Sequence, residues 1–519
     1  MVEYRNFSFK YPTSSEDILK GIDLNIGLGE FIVIFGESGC GKTTLVRQML
    51  PTPLAGEKRG KVLIDGQPMD RVPIGKVGYV SQNVNNQIVT DKVWHELAFG
   101  LENLSMPSEV IRSKVMEIAT YFGIDSWYYK SVEELSGGQK QILALASIMV
   151  TDPEILILDE PTSHLDPISV NEFMSVLKRL NQELGITIVV TEHSLDYIFL
   201  YANRLVFMQN GTILKDTSKE GMFNISESIP FLPPYVRVAY YEGFTSNALN
   251  VSNFRDEFLN RNYKNIPFES VTHKKEHLKV DIKNLYFRYS RDTIDVLNGL
   301  DLKLYSNEIT CIIGANGSGK STLMSLMVGA LKSKYGKIKI LDTITCLPQD
   351  VQTVFCKSTL FEDLKSTKLN GLPIDDSTIL NMLKLTDLER FKDSHPYDLS
   401  GGEQQMSAIA KILLLEANII IFDEPTKCLD IHRKNIFKGI VKELSSKGKT
   451  IIIVSHDIDF TFEIANRLIV MFQGEILSDG SPREILSNNR YFTTSIGRIL
   501  GKQNRGYLIP NDFTHKEVS

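Results

Sequence analysis

Gly36-Glu37-Ser38-Gly39-Cys40-Gly41-Lys42-Thr43-Thr44 is the stretch on which the reading of this 519-residue chain turns. An apolar run, Phe31-Ile32-Val33-Ile34-Phe35, precedes it, and an apolar helical pattern, Leu45 to Leu50, follows it. The glycines therefore sit between a strand and the start of a helix, the context that a phosphate-binding loop requires. Gly36, Gly39 and Gly41 let the backbone take positive φ, so that successive N–H groups turn inward on phosphate oxygens. The helix adds the positive end of its dipole. Lys42 is placed to reach the β- and γ-phosphates, and the Thr43 hydroxyl to bind Mg²⁺.

The chain then repeats itself, which sets the architecture. Gly314-Ala315-Asn316-Gly317-Ser318-Gly319-Lys320-Ser321-Thr322 follows a second apolar run, Ile309 to Ile313. Leu135-Ser136-Gly137-Gly138-Gln139 returns as Leu399-Ser400-Gly401-Gly402-Glu403, and Ile155 to Thr162, containing Asp159-Glu160, as Ile419 to Thr426, containing Asp423-Glu424. Thr191-Glu192-His193 returns as Val454-Ser455-His456. The lysines are 278 positions apart, Ser136 and Ser400 are 264 apart, and the histidines 263. The second copy is thus shorter between its loop and its Ser-Gly-Gly. Most of the loss precedes a glutamine: Lys42 to Gln82 spans 40 positions and Lys320 to Gln349 only 29. The Pro- and Gly-punctuated segment 51–80 reads as a β-rich excursion trimmed in the second half.

Bulk properties narrow the function classes. The length fits two to four domains, and 42% hydrophobic with 23% charged residues is ordinary soluble composition. A net charge of -6 gives no sign of a nucleic-acid surface. Five cysteines, odd in number and without C-x-x-C spacing, point to free thiols in a reducing compartment. Met1-Val2-Glu3-Tyr4-Arg5 leads straight into strand-like sequence rather than a signal peptide. No apolar run approaches the ~18 residues of a spanning helix, so membrane work would be done from the surface.

The halves lie at 1–220 and 279–484, with a connector at 221–278 and a tail at 485–519. The connector carries Pro230, Pro233 and Pro234, many aromatics, and seven acidic against seven basic residues over 220–279. It is too apolar for a free tether and should pack on the domains. Each half opens with an aromatic strand, Phe7 to Tyr11 and Leu285 to Tyr289; Tyr11 and Tyr289 would either stack on a nucleotide base or pack in the core.

In this order, the motifs resemble those of the ATP-binding cassette (ABC) ATPases, and the resemblance covers both halves. It implies an α/β chain of two tandem P-loop NTPase domains, each with a mainly parallel core sheet, a β-rich nucleotide-binding edge and a helical signature subdomain, using ATP with Mg²⁺. Asp159 and Asp423 would orient Mg²⁺, Glu160 and Glu424 would position the attacking water, and His193 and His456 resemble the family's γ-phosphate switch. Gln82 and Gln349 resemble the glutamine that senses Mg²⁺ and couples to a partner. In this family Ser136-Gly137-Gly138 and Ser400-Gly401-Gly402 each complete the opposite loop's site, making an internal pseudo-dimer. Both sites are expected to hydrolyse ATP. Glu403 for Gln139, Ile142 and Met406 where a basic residue is frequent, and Lys427-Cys428 for Ser163-His164 are departures, and none removes a group hydrolysis needs.

Asn83 to Gln87 and Val93 to Asn103 resemble energy-coupling factor (ECF) transporter ATPases. That implies a peripheral subunit at the cytoplasmic face of the cell membrane, docking a T-type coupling protein, with a separate substrate-binding S component for a vitamin, vitamin precursor or metal ion. Glu96 and Glu102 are placed to meet arginines of the T subunit. The second half departs there, with Asp350 to Phe355 and Leu360 to Leu364. The alternatives are another transporter subunit, such as a sugar importer's, which usually has a degenerate second loop, and a tandem ATPase of ribosomes, which tends to have a long charged linker. A regulatory ATP-binding protein without turnover is opposed by Glu160 and Glu424.

Overall fold

The computed structural model describes residues 2–514 apart from 13, 15, 53, 164, 225, 262, 268–276, 291–293, 370 and 491. His164, part of the connector and the end of the tail lie outside the described residues. The chain divides into two compact units, Met1–Pro233 and Pro234–Ser519.

In the first unit, six strands run in the order Thr212–Thr217, Arg204–Gln209, Phe31–Phe35, Thr187–Glu192, Ile155–Asp159, Val77–Val80. All neighbours are parallel except the antiparallel edge strand Thr212–Thr217. Phe31–Phe35 and Ile155–Asp159 are buried at every position, as expected of strands covered on both faces, which is why they read as unbroken apolar runs. A second, antiparallel sheet joins Leu19–Ile26, Val2–Lys10, Glu57–Ile64 and Gln67–Pro68. Leu19–Ile26 alternates buried and exposed over most of its length, the mark of a sheet with one wet face.

The second unit repeats this plan. Its sheet orders Ile344–Leu347, Ile419–Asp423, Thr450–Val454, Ile309–Ile313, Arg467–Phe472 and Glu475–Gly480. Its antiparallel layer holds Leu297–Tyr305, Leu278–Phe287 and Tyr335–Ile340. The fourth strand has no counterpart among the described residues of this unit, which accounts for much of the shortening. In the first unit Asp65 and Gly66, at φ 51° and 75°, turn the chain back into Gln67–Pro68, a hairpin turn needing positive φ at both centres; in the second, Ile340 is followed almost at once by Ile344.

The connector is helical over Pro234–Tyr241 and Val251–Asn260 and shares a core with the tail. Phe258, fully buried, has Tyr263, Tyr507 and Phe513 around it at ring distances of 5.0, 5.7 and 6.0 Å. Arg505 Nη1 donates to the Tyr263 carbonyl at 2.8 Å.

Candidate nucleotide sites

In each unit the glycine-rich loop leaves the central strand and enters a helix, Lys42–Arg47 or Lys320–Met327. A Cβ on Gly36 would stand 2.1 Å from the Met208 carbonyl oxygen, and one on Gly314 2.3 Å from that of Met471, so the neighbouring strand fixes glycine at both places. The ammonium of Lys42 donates to the carbonyls of Gly36 and Glu37 at 2.9 Å, and that of Lys320 to those of Gly314 and Ala315 at 2.8 and 3.0 Å. Glu37, Gly39, Asn316 and Gly317 form the exposed crest, whereas Cys40 and Ser318 are buried beneath it. Cys40 Sγ points under Gly36, and burial raises its thiol pKa. Tyr11 and Tyr289 stand beside the loops, their hydroxyls 3.1 and 3.0 Å from Oγ1 of Thr44 and Thr322.

Asp159 ends its strand against this loop. Thr43 Oγ1 donates to Asp159 Oδ1 at 2.9 Å, Thr191 Oγ1 to the same oxygen at 2.5 Å, and the Tyr79 hydroxyl to Oδ2 at 3.1 Å. Burial pushes the Asp159 carboxyl up, and these hydroxyls oppose it. At the matching register the second unit has Cys346 and Val454 in place of Tyr79 and Thr191. Burial raises Asp423 as well, the Ser321 hydroxyl lowers it, and Asp423 Oδ1 is buried without a hydrogen-bond partner among the described residues.

Glu160 and Glu424 share an unusual backbone, with φ of 46° and 52°. Such a conformation costs a non-glycine residue ~1–3 kcal/mol; the Glu160 N–H donates to the Thr191 carbonyl at 3.1 Å and the Glu424 N–H to that of Val454 at 2.9 Å, which holds both turns. Gln82 Nε2 donates to Glu160 Oε2 at 2.7 Å, and His193 Nδ1 lies 3.5 Å from that oxygen. His456 Nε2 lies 3.2 Å from Glu424 Oε1, while Gln349 is exposed. Burial raises the Glu424 carboxyl to about 7.

These donors suit Mg²⁺. No group of three or more His, Cys, Asp or Glu able to hold a metal exists among the described residues. Each unit instead brings one carboxylate to the hydroxyl of its glycine-rich loop, Asp159 to Thr43 and Asp423 to Ser321. Mg²⁺ is held in this way, by one or two protein oxygens with phosphates and water. The unpartnered Asp423 Oδ1 is the acceptor such an ion would satisfy.

The roles of three residues are not legible in the sequence alone. Tyr79 and Thr191 hold Asp159 from neighbouring strands, and only the register shows it. Glu192, 1% exposed, accepts from the Thr162 N–H and hydroxyl at 3.2 and 2.7 Å, and burial lifts its carboxyl to about 7. Its signal was present, an acid at the end of an apolar strand where the other half has Ser455.

The signature turns open other helices, Gly137–Met149 and Gly401–Leu413. Ser136 and Gln139, and Ser400 and Glu403, form reciprocal capping boxes that fix these starts. Beyond Gln82, the expectation for Glu96 is corrected. It is 4% exposed, and its carboxylate accepts from the N–H groups of Val89 and Thr90 at 3.1 and 2.9 Å, so it braces its own loop and is not presented to a partner. Glu102 is exposed beside His95.

A glycine loop between strand and helix, an adjacent Asp-Glu at a strand end and a following histidine, all present twice, define a tandem P-loop ATPase. The chain belongs to the ABC transporter family, whose pattern matches residues 19–163 and 297–427. A Bacillus thuringiensis subsp. konkukian protein provisionally named ABC transporter ATP-binding protein is 34% identical over 96% of this chain and 95% of its own length. One from Methanosarcina mazei with the same provisional name is 31% identical over 93% and 90%. The archaeal ribosome recycling factor aABCE1, solved in complex with ribosomal stalk protein aP1, is similar with a TM-score of 0.61 over 93% of this chain and 91% of that one; at 21% identity this shows the tandem fold.

Proposed function

We propose that the chain powers an importer of the energy-coupling factor kind, hydrolysing ATP in both cassettes and docking membrane subunits on its first half from the cytoplasmic side. Thr43 with Asp159, and Ser321 with Asp423, would hold Mg²⁺, which when bound offsets phosphate charge. Lys42 and Lys320 turn from the loop carbonyls to the β- and γ-phosphates. Glu160 and Glu424 orient a water for attack and draw on its proton, and His193 and His456 sense the γ-phosphate.

The observation that carries the docking reading is an exposed patch beside Gln82. Val89, Trp94 and Tyr129 are 66%, 40% and 80% exposed, and the Val93 and Trp94 N–H groups bind the carbonyls of Lys130 and Tyr128 at 3.3 and 3.2 Å, tying the two segments together. Apolar side chains left in water on adjoining segments mark an interaction surface. The patch begins seven residues after Gln82, whose amide touches Glu160, so a partner seated there can bear on catalysis. No helix among the described residues is long and apolar enough to cross a membrane, which leaves the membrane path to other subunits.

Affinity purification from detergent-solubilised membranes tests this. The chain should recover a polytopic membrane protein, and Trp94→Glu with Tyr129→Glu should remove at least nine-tenths of it without loss of the isolated chain's ATPase. Sedimentation with ribosomes at moderate salt instead would sink the reading.

A further inference from the structure

The two signature turns differ in a way that a second difference compensates. Gln139 of the first half is Glu403 in the second, and Ser169, ten positions beyond the aspartate of the Asp-Glu motif, is Arg433. In the first unit Ser169 Oγ donates to Asp166 at 2.8 Å and Gln139 Oε1 accepts from the Ser136 N–H at 2.9 Å. In the second, Glu403 keeps the capping bond, its Oε2 accepting from the Ser400 N–H at 2.9 Å, and its other oxygen accepts from Arg433 Nη2 at 2.9 Å. Arg433 Nη1 also donates to Asp430 at 3.0 Å. Glu403, Arg433 and Asp430 are 8%, 4% and 3% exposed, so all three charges are buried.

Place and charge both bear on the signature. A Cβ on Gly402 would stand 3.5 Å from Arg433 Nη1, as one on Gly138 would stand 2.7 Å from Ser169 Oγ, so this side chain lies against the second signature glycine in both halves. Arg433 Nε is buried without a hydrogen-bond partner among the described residues. The first unit carries one negative charge here, Asp166; the second carries Asp430, Glu403 and Arg433, again one negative charge in sum. A carboxylate alone at the third position of this helix would oppose any anion brought to the same N–H groups. Arg433 cancels it. The guanidinium also ties the signature helix to the N-cap of helix Ile431–Ser446.

We propose that Arg433 is a positioning residue which neutralises Glu403 and clamps the second signature to Asp430, so that an acidic signature still receives the phosphates of a nucleotide. This rests on the reading that a phosphate meets the signature. Glu403→Gln raises the local charge by one and Arg433→Met lowers it by one, while both remove a buried ion pair. The test is the half-saturating ATP concentration of the full-length ATPase beside thermal stability. Both variants should melt lower, but half-saturation should fall severalfold in Glu403→Gln and rise about tenfold in Arg433→Met. The Glu403→Gln, Arg433→Ser double variant, which copies the first half's pair, should lie between them and close to the parent. A merely structural pair would shift half-saturation in one direction or not at all, and that result overturns the proposal. Ser400→Asp keeps a good N-cap while adding an anion; if it leaves half-saturation unchanged, the phosphate–signature reading itself has failed, and the proposal with it.

Discussion

Glu192 carries the sharpest difference between the halves at the scale of one side chain. Its carboxyl is buried beside Thr162 and raised from 4.5 to about 7. Between those values the folded chain keeps a proton that the unfolded chain releases, so this group's contribution to stability declines as pH rises from about 4.5 to 7. The full loss is on the order of 3 kcal/mol at ~1.4 kcal/mol per pH unit. Glu192→Gln keeps the size and acceptor and removes the titration. Melting measured from pH 5 to 8 should therefore fall less steeply in the variant than in the parent; parallel curves would rule out this assignment. Cys40 is plain in the phosphate loop, and its thiol lies under Gly36, away from the crest, beside the strand ending at Gln209. Tyr79 was invisible in the sequence: nothing in Val77-Gly78-Tyr79-Val80 says which strand it will face, and its bond to Asp159 exists because Val77–Val80 pairs with Ile155–Asp159.

Elements were legible where local chemistry is self-sufficient. The buried parallel strands announce themselves as apolar runs, and the signature helices by a serine with Gln or Glu three residues on. The connector and tail were legible only in part. Their aromatic content called for packing, but the partner of Phe258 lies some 250 residues away at Tyr507 and Phe513, and no local pattern joins such distant segments. Phe258→Ala should cost about 3–5 kcal/mol in the unfolding of the second unit. Denaturant titration of the full chain checks it, and a change below about 1 kcal/mol would show that connector and tail do not share a core. The hairpin at Asp65-Gly66 illustrates the opposite case, since its turn chemistry was present in the sequence and its absence from the second half explains much of the shorter spacing.

For the whole molecule, the internal repeat carried the most information. Two units with the same sheet order and the same loop, Asp-Glu and histidine cluster are what a duplicated cassette requires. The second copy keeps the glutamate, aspartate and histidine of the proposed site but has other residues in place of Tyr79, Thr191 and Glu192, so the two sites present the same reacting groups in different environments. In the proposed importer, substrate choice would fall to the membrane subunits.

The claim that both cassettes hydrolyse ATP is tested most directly by steady-state turnover of the purified chain with Glu160→Gln, Glu424→Gln and both. Each change retains the side-chain volume and removes the carboxylate proposed to orient water, an effect worth about 10²–10⁴ at the altered site. Each single variant should show a clear loss of phosphate release, and the double variant should fall to background. Full parental turnover in either single variant would show that its cassette was silent and would contradict the account.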